Sequence, residues 1–213
     1  MNQSTTEIEE TPYVDATQHR EANHLGMWMF LATEILFFGG LFSCYSIYRW
    51  TYPAAFAQAS NRLDFWIGTI NTGVLLTSSL FMALADLAHH AKAVRLTRIH
   101  LSLTALLGAV FLGLKFYEYY QKYVEHLIPG PHFAFPDAPP QAQLFFFLYF
   151  AMTGLHAAHM IIGLCALGWL VRRTTKPAWT ARHSDAVSIV GLYWHFVDCV
   201  WIFLYPLLYL AGR

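Results

Sequence analysis

Charge is what this chain has least of. Asp, Glu, Lys and Arg make up 12% of its 213 residues, about half the ~25% usual in a soluble domain. An exterior this poor in charge is matched to lipid rather than to water. The formal net charge is zero and no basic patch stands out, which argues against a nucleic-acid-binding surface. There are three cysteines, Cys44, Cys165 and Cys199, all within apolar runs, with no CxxC and no Cys/His pairing of zinc-site spacing. They read as inert small hydrophobes and leave the redox compartment open. No internal repeat is evident, and no stretch is left over for a soluble domain. The first 24 residues, MNQSTTEIEETPYVDATQHREANH, are polar and acidic without an apolar core, so they are not a signal peptide. They are expected to form a flexible cytoplasmic lead-in.

What the chain does have is apolar length. Its residues are 56% hydrophobic and 17% aromatic, and a helix needs about 20 apolar residues to cross a bilayer. Five stretches qualify, at about 25–48, 65–88, 100–122, 142–171 and 186–211. Each must be a helix, because a lipid-facing strand edge leaves backbone groups unpaired. The expected fold is therefore all-α, a single five-helix transmembrane domain over 25–213. Placement of Lys and Arg orients it. With the N-terminus inside, Arg20, Lys92, Arg95, Arg98, Arg172, Arg173, Lys176 and Arg182 are cytoplasmic, eight in all, against Arg49, Arg62 and Arg213 outside. The expectation is a cytoplasmic N-terminus and a periplasmic C-terminus. The loop 123–143 then lies outside, and its five prolines predict an extended cap. Tyr45, Tyr48, Trp50 and Tyr52, with Tyr117, Tyr119, Tyr120 and Tyr123, have the placement of an interfacial aromatic belt.

Polar groups inside the spans are costly and face the protein interior as a rule. Glu34 lies nine residues into the first span, about 13–14 Å deep and near the midplane. Two readings stay open for it: a carboxyl that handles protons, or a hydrogen-bonded one that fixes helix packing. His195 and Asp198 are three apart on the fifth span and share a face. His195 is at a depth similar to that of Glu34, so a Glu34–His195 contact is geometrically available, as a relay or as a packing cluster. His156 and His159 are also three apart. Metal ligation would want three or four converging ligands, so hydrogen bonding to neighbouring helices is the expected role. Lys115, Glu118 and Lys122 form an i, i+3, i+7 row, and Glu four before Lys is the favourable order. They read as a structural ion pair with snorkelling lysines. His89, His90 and Asp86 sit at the inner end of the second span, where they can be solvated. Asn71, Ser78 and Ser79 supply amide and small groups for close helix contacts, and the Gly39–Gly40 pair leaves room for close approach of a helix or of a lipid chain.

These segments together resemble the subunit III family of haem–copper respiratory oxidases. The resemblance is carried by HLGMWMFLATEILFFGGLF, INTGVLLTSS, FFFLYFAMTGLHAAHMIIG and GLYWHFVDCVWIFLYPLLYL, in family order across four of the five spans. It is to the short, five-helix bacterial form, which lacks the first helix pair of longer members. The resemblance implies a bacterial inner-membrane protein and a non-catalytic subunit that packs on subunit I, with subunit II in the same complex. A small subunit IV or a larger respiratory supercomplex is a further association it leaves open. It also implies that no haem or copper is bound by this chain, those groups residing in partner subunits, while membrane phospholipid has a place against it. Glu34 matches the family carboxylate associated with carbodiimide labelling and proton uptake. His195 and Asp198 match its Trp-His-Phe-Val-Asp stretch, and His156 and His159 its Gly-x-His-x-x-His stretch, none of them a redox-metal ligand there. The implied complex reduces O2 with electrons from cytochrome c, or in other branches quinol; companions of nitric oxide reductase belong to the same family. Two other classes compete. A small proton-coupled transporter would use Glu34 as carrier, but inverted repeats and broken helices are missing, and the only proline within a span is Pro206. A haem-binding electron carrier would use the paired histidines.

Overall fold

The computed structural model describes residues 16–131, 133–135, 138–174, 184–210 and 212. Lys176, Arg182 and Arg213 of the charge count, and His132, Pro136 and Asp137 of the proline-rich loop, lie outside the described residues. The described residues form helices joined by turns, with no strand among them.

Five helices are long and apolar enough to cross a membrane, and they coincide with the expected spans. They are α1 (Ala16–Thr51), α3 (Phe65–His90), α4 (Val94–Val124), α5 (Ala142–Arg173) and α6 (Ser184–Tyr209). A short helix between the first two, α2 (Pro53–Ser60), is too brief for a span and is an addition to the expected elements. Pro53 stands in its first turn, where a missing N–H costs nothing. Helix α1 also extends further than expected. It starts at Ala16, ahead of the expected boundary at Leu25, and so takes in residues 16–24 of the polar lead-in. That stretch has no Pro or Gly to break a helix. Asp64 starts α3 by accepting hydrogen bonds from the Trp66 and Ile67 amides at 2.9 and 3.2 Å, which satisfies two otherwise orphaned donors.

Helices α3, α4, α5 and α6 close into a ring in which each packs on the next, and α1 lies outside against α5 and α6. The difference in burial follows: half of the apolar window of α6 is buried, but 11% of that of α1. Small residues permit the ring to close. The Trp194 indole of α6 lies over both Gly108 of α4 and Gly163 of α5, where an added Cβ would come within 2.6 and 3.0 Å of it. Its Nε1 donates to Ser78 Oγ at 3.2 Å, and Ser78 in turn donates to the Thr104 carbonyl. Asn71 is buried and reaches the Phe111 carbonyl at 3.3 Å, the helix contact expected of it. Gly39 and Gly40 make no such contact, because a Cβ on either would meet nothing within 4 Å. Close approach in this chain runs through Gly108 and Gly163 instead.

The described residues between α4 and α5 cap one end without a helix, as the prolines predict. Phe133 and Phe135 pack on Phe146, and the Arg62 guanidinium sits 5.0 Å from the Phe135 ring centre. Of the aromatic residues expected in a belt, Tyr48, Trp50, Tyr52, Tyr117, Tyr120 and Tyr123 are exposed, as such a belt requires. Tyr45 is a correction: it is fully buried and donates to the Leu207 carbonyl at 2.6 Å.

Candidate functional site

Two sets of polar side chains occupy the apolar bundle. The first lies near the capped end. Lys115 and Glu118, on one face of α4, are 1% and 0% exposed and form an ion pair at 3.0 Å. Lys115 Nζ also donates to Tyr149 Oη at 3.0 Å and Tyr209 Oη at 2.7 Å, so all three ammonium donors are used. Tyr149 and Tyr209 pass the interaction on, donating to Glu118 Oε1 at 3.0 and 2.6 Å. Four aromatic rings, of Tyr119, Tyr149, Trp201 and Tyr209, stand within 5.5 Å of the ammonium. The expected ion pair is present, but two of its details are corrected. Lys115 does not snorkel, since tyrosine hydroxyls supply it with a polar shell inside the bundle. Lys122 pairs with Glu125 at 2.7 Å and the Arg62 carbonyl at 2.8 Å rather than with Glu118, tying the end of α4 to the loop that precedes α3. Tyr149 and Tyr209 have no signal in the sequence beyond being polar-tipped aromatics at span ends.

The second set lies at mid-span. Glu34 of α1 meets His159 of α5, Oε2 to Nε2, at 3.1 Å. Their side chains are 19% and 12% exposed, at the junction where α1 leans on the ring. His159 is fixed by its other nitrogen against the Leu155 carbonyl at 2.9 Å and by the Phe38 ring at 5.4 Å. The available Glu34–His195 contact is therefore not the one made. The carboxyl is held by α5, which runs antiparallel to α1. His195 instead binds Ser79 of α3, Nδ1 to Oγ, at 2.7 Å. Asp198 is 3% exposed, and neither carboxyl oxygen has a hydrogen-bond partner. His156 turns away from His159 into the ring, between Phe111 and Trp201 at 5.5 and 5.2 Å, with both nitrogens unpartnered. The two histidines of α5 thus serve different neighbours. Among the described residues no three His, Cys, Asp or Glu side chains are grouped as a metal would need.

An apolar cavity of about 530 Å³ opens between α1 and α6. Trp28, Phe38, Gly39 and Phe42 line one wall, Leu192 and Phe203 the other, and His195 reaches its edge. Gly39, which contacts no helix, has its open side here.

Sequence comparison places this arrangement. Residues 8–213 match the family described as Cytochrome c oxidase subunit III. The chain is 33% identical over 199 residues to "Cytochrome c oxidase subunit 3" of Thermostichus vulcanus, covering 93% of this chain and 92% of that one. It is 32% identical over 190 residues to the protein of the same name from Bacillus subtilis, covering 88% and 86%. A Staphylococcus haemolyticus protein named "Probable quinol oxidase subunit 3" is 28% identical over 207 residues, covering 95% and 96%. With its five membrane-length helices and a match over nearly its whole length, the chain belongs to the cytochrome c oxidase subunit III family of the haem–copper oxidases.

Proposed function

We propose that this chain is the non-catalytic subunit III of a proton-pumping haem–copper terminal oxidase, in the multi-pass setting of a bacterial inner membrane. The observation that carries it is the family match from residue 8 to residue 213. In this role the chain packs on subunit I, stabilises it and supports proton uptake while O2 is reduced to water elsewhere in the complex. The haems and copper belong to the partner subunits, and subunit II completes the assembly. The cytochrome c type is favoured over the quinol type because the relatives named for cytochrome c oxidase reach 33% and 32% identity, against 28% for the quinol-named one. The N-terminus is assigned to the cytoplasm on the Lys and Arg placement. The cavity against α1, apolar on nearly every side, suits a phospholipid acyl chain.

Two structural facts support the proton-related part. Glu34 sits on the most exposed helix of the bundle, where a partner subunit has access to it, and its histidine is pinned by the protein on its other nitrogen. A carboxyl–imidazole pair so held has one exchangeable position and one fixed one.

Affinity purification in mild detergent, with subunit identification and a reduced-minus-oxidised spectrum, tests the proposal. A haem-bearing subunit I is expected to co-elute, and the accompanying subunit II reports the electron donor. A chain recovered alone and colourless would overturn it and favour proton-coupled transport through Glu34.

A further inference from the structure

A second cavity, also of about 530 Å³, opens at the capped end, where the start of α3 meets the last turns of α4. Its lining differs in kind from that of the cavity between α1 and α6. Arg62, Asp64, Lys122 and Glu125 bring two cations and two carboxylates to it, and Trp66, Tyr117 and Tyr120 add aromatic rings. All three rings are exposed, as suits side chains with an apolar body and a polar edge at a membrane interface.

These charged groups are only partly spent on one another. Lys122 is fully engaged, by Glu125 Oε2 at 2.7 Å and the Arg62 carbonyl at 2.8 Å. Glu125 Oε1 has no hydrogen-bond partner among the described residues, and half of that side chain is exposed. Asp64 caps α3 through one oxygen, Oδ1, and its Oδ2 likewise accepts nothing among the described residues. The Arg62 guanidinium lies over the Phe135 ring and, among the described residues, pairs with no carboxylate. The cavity thus offers an uncommitted planar cation and, apart from it, two carboxylate oxygens that lack donors.

An apolar track leads away from the cavity along both helices. On α3 it runs from Trp66 through Ile70 to Gly73, and on α4 from Tyr117 through Gly113 to Val110. These are the four- and three-residue steps of a single helix face. All six residues are exposed, and a Cβ added at Gly73 or Gly113 would meet nothing within 4 Å. The track is therefore open as far as the middle of α4.

We propose that this cavity seats the headgroup of one phospholipid of the phosphatidylethanolamine type, with an acyl chain along the α3–α4 track. The Arg62 fork takes the phosphate, and the second oxygens of Asp64 and Glu125 accept from the ammonium. A quaternary ammonium has no N–H to give them, and a headgroup of net negative charge meets two carboxylates here. A free headgroup has nothing to lay along the track. The site is separate from the cavity between α1 and α6, whose lining is apolar almost throughout, and it stands whether or not the chain serves an oxidase.

Native mass spectrometry of the full chain tests this, after delipidation and titration in detergent with phosphatidylethanolamine, phosphatidylcholine or phosphatidylglycerol of matched acyl chains. All titrations use the Gly39→Leu background, in which the cavity between α1 and α6 is filled. The ethanolamine lipid is expected to bind on the order of ten-fold more tightly than either of the others. Arg62→Gln and Glu125→Gln are each expected to abolish that preference. Should Glu125→Gln not fold, Asp64→Asn, which keeps an oxygen for the helix cap, takes its place. Equal binding of the three lipids, or a preference that survives these substitutions, overturns the proposal. The assembled complex is expected to release one fewer molecule of phosphatidylethanolamine per chain when it carries Arg62→Gln. An unchanged count would mean that a protein segment covers the cavity, and would overturn it as well.

Discussion

At the capped end of the bundle Lys115 and Glu118 are shut away with every donor matched, whereas at mid-span Glu34 is partly exposed and the Asp198 carboxyl oxygens make no hydrogen bond. Both regions place charge-bearing groups in an apolar setting, and the cost of doing so is the same in kind. The capped end meets that cost internally, by two tyrosines that bridge cation and anion, and needs nothing from outside the chain. The mid-span groups meet it only in part. Completeness of hydrogen bonding therefore separates the Lys115–Glu118 network, whose donors are all matched within the chain, from mid-span groups with hydrogen-bonding capacity left over.

Removing one member of the closed network should have the largest effect. Lys115→Met leaves Glu118 as an uncompensated buried charge and is expected to lower stability by about 3–5 kcal/mol. Adding Glu118→Gln should recover much of the loss, measured as thermal unfolding in detergent. Tyr209→Phe removes a hydroxyl that serves both ions. Loss of hydrogen bonds to charged groups should cost about 1.5–3 kcal/mol by the same assay. Next in size is Gly108→Ala, whose Cβ meets the Trp194 ring at 2.6 Å. Overpacking of this kind costs about 1–3 kcal/mol, while Gly39→Ala and Gly40→Ala should leave the melting temperature of the isolated chain unchanged. Smallest in stability is Glu34→Gln. The amide retains a hydrogen bond to His159, so the change should be about 1 kcal/mol at most, with its effect confined to the working complex.

How far these regions can be read from the sequence differs too. The five spans are legible because length and hydrophobicity determine them, and both are local properties. Helix α2 is not, since PAAFAQAS has neither span length nor a long period, although Pro53 is an available signal. Within the site, residue types and shared faces are legible: Lys115 with Glu118, His195 with Asp198. Partners across helices are not. A depth argument favours pairs on helices that run the same way, so it points Glu34 toward His195; α5 runs oppositely, and His159 has to be counted from its other end. Likewise, Lys115 near a span end reads as snorkelling until Tyr149 and Tyr209, distant in sequence, are known to converge on it. Tertiary neighbours, rather than composition, decide each case.

On this reading Glu34 and its mid-span neighbours would serve the oxidase, while the Lys115–Glu118 network would serve only to build the chain. The decisive experiment is to measure turnover, proton stoichiometry and lifetime of the assembled complex carrying Glu34→Gln. The complex is expected to assemble normally and then to show reduced proton stoichiometry or a shortened working lifetime. An assembled Glu34→Gln complex in which all three quantities match the unmodified enzyme would contradict the claim.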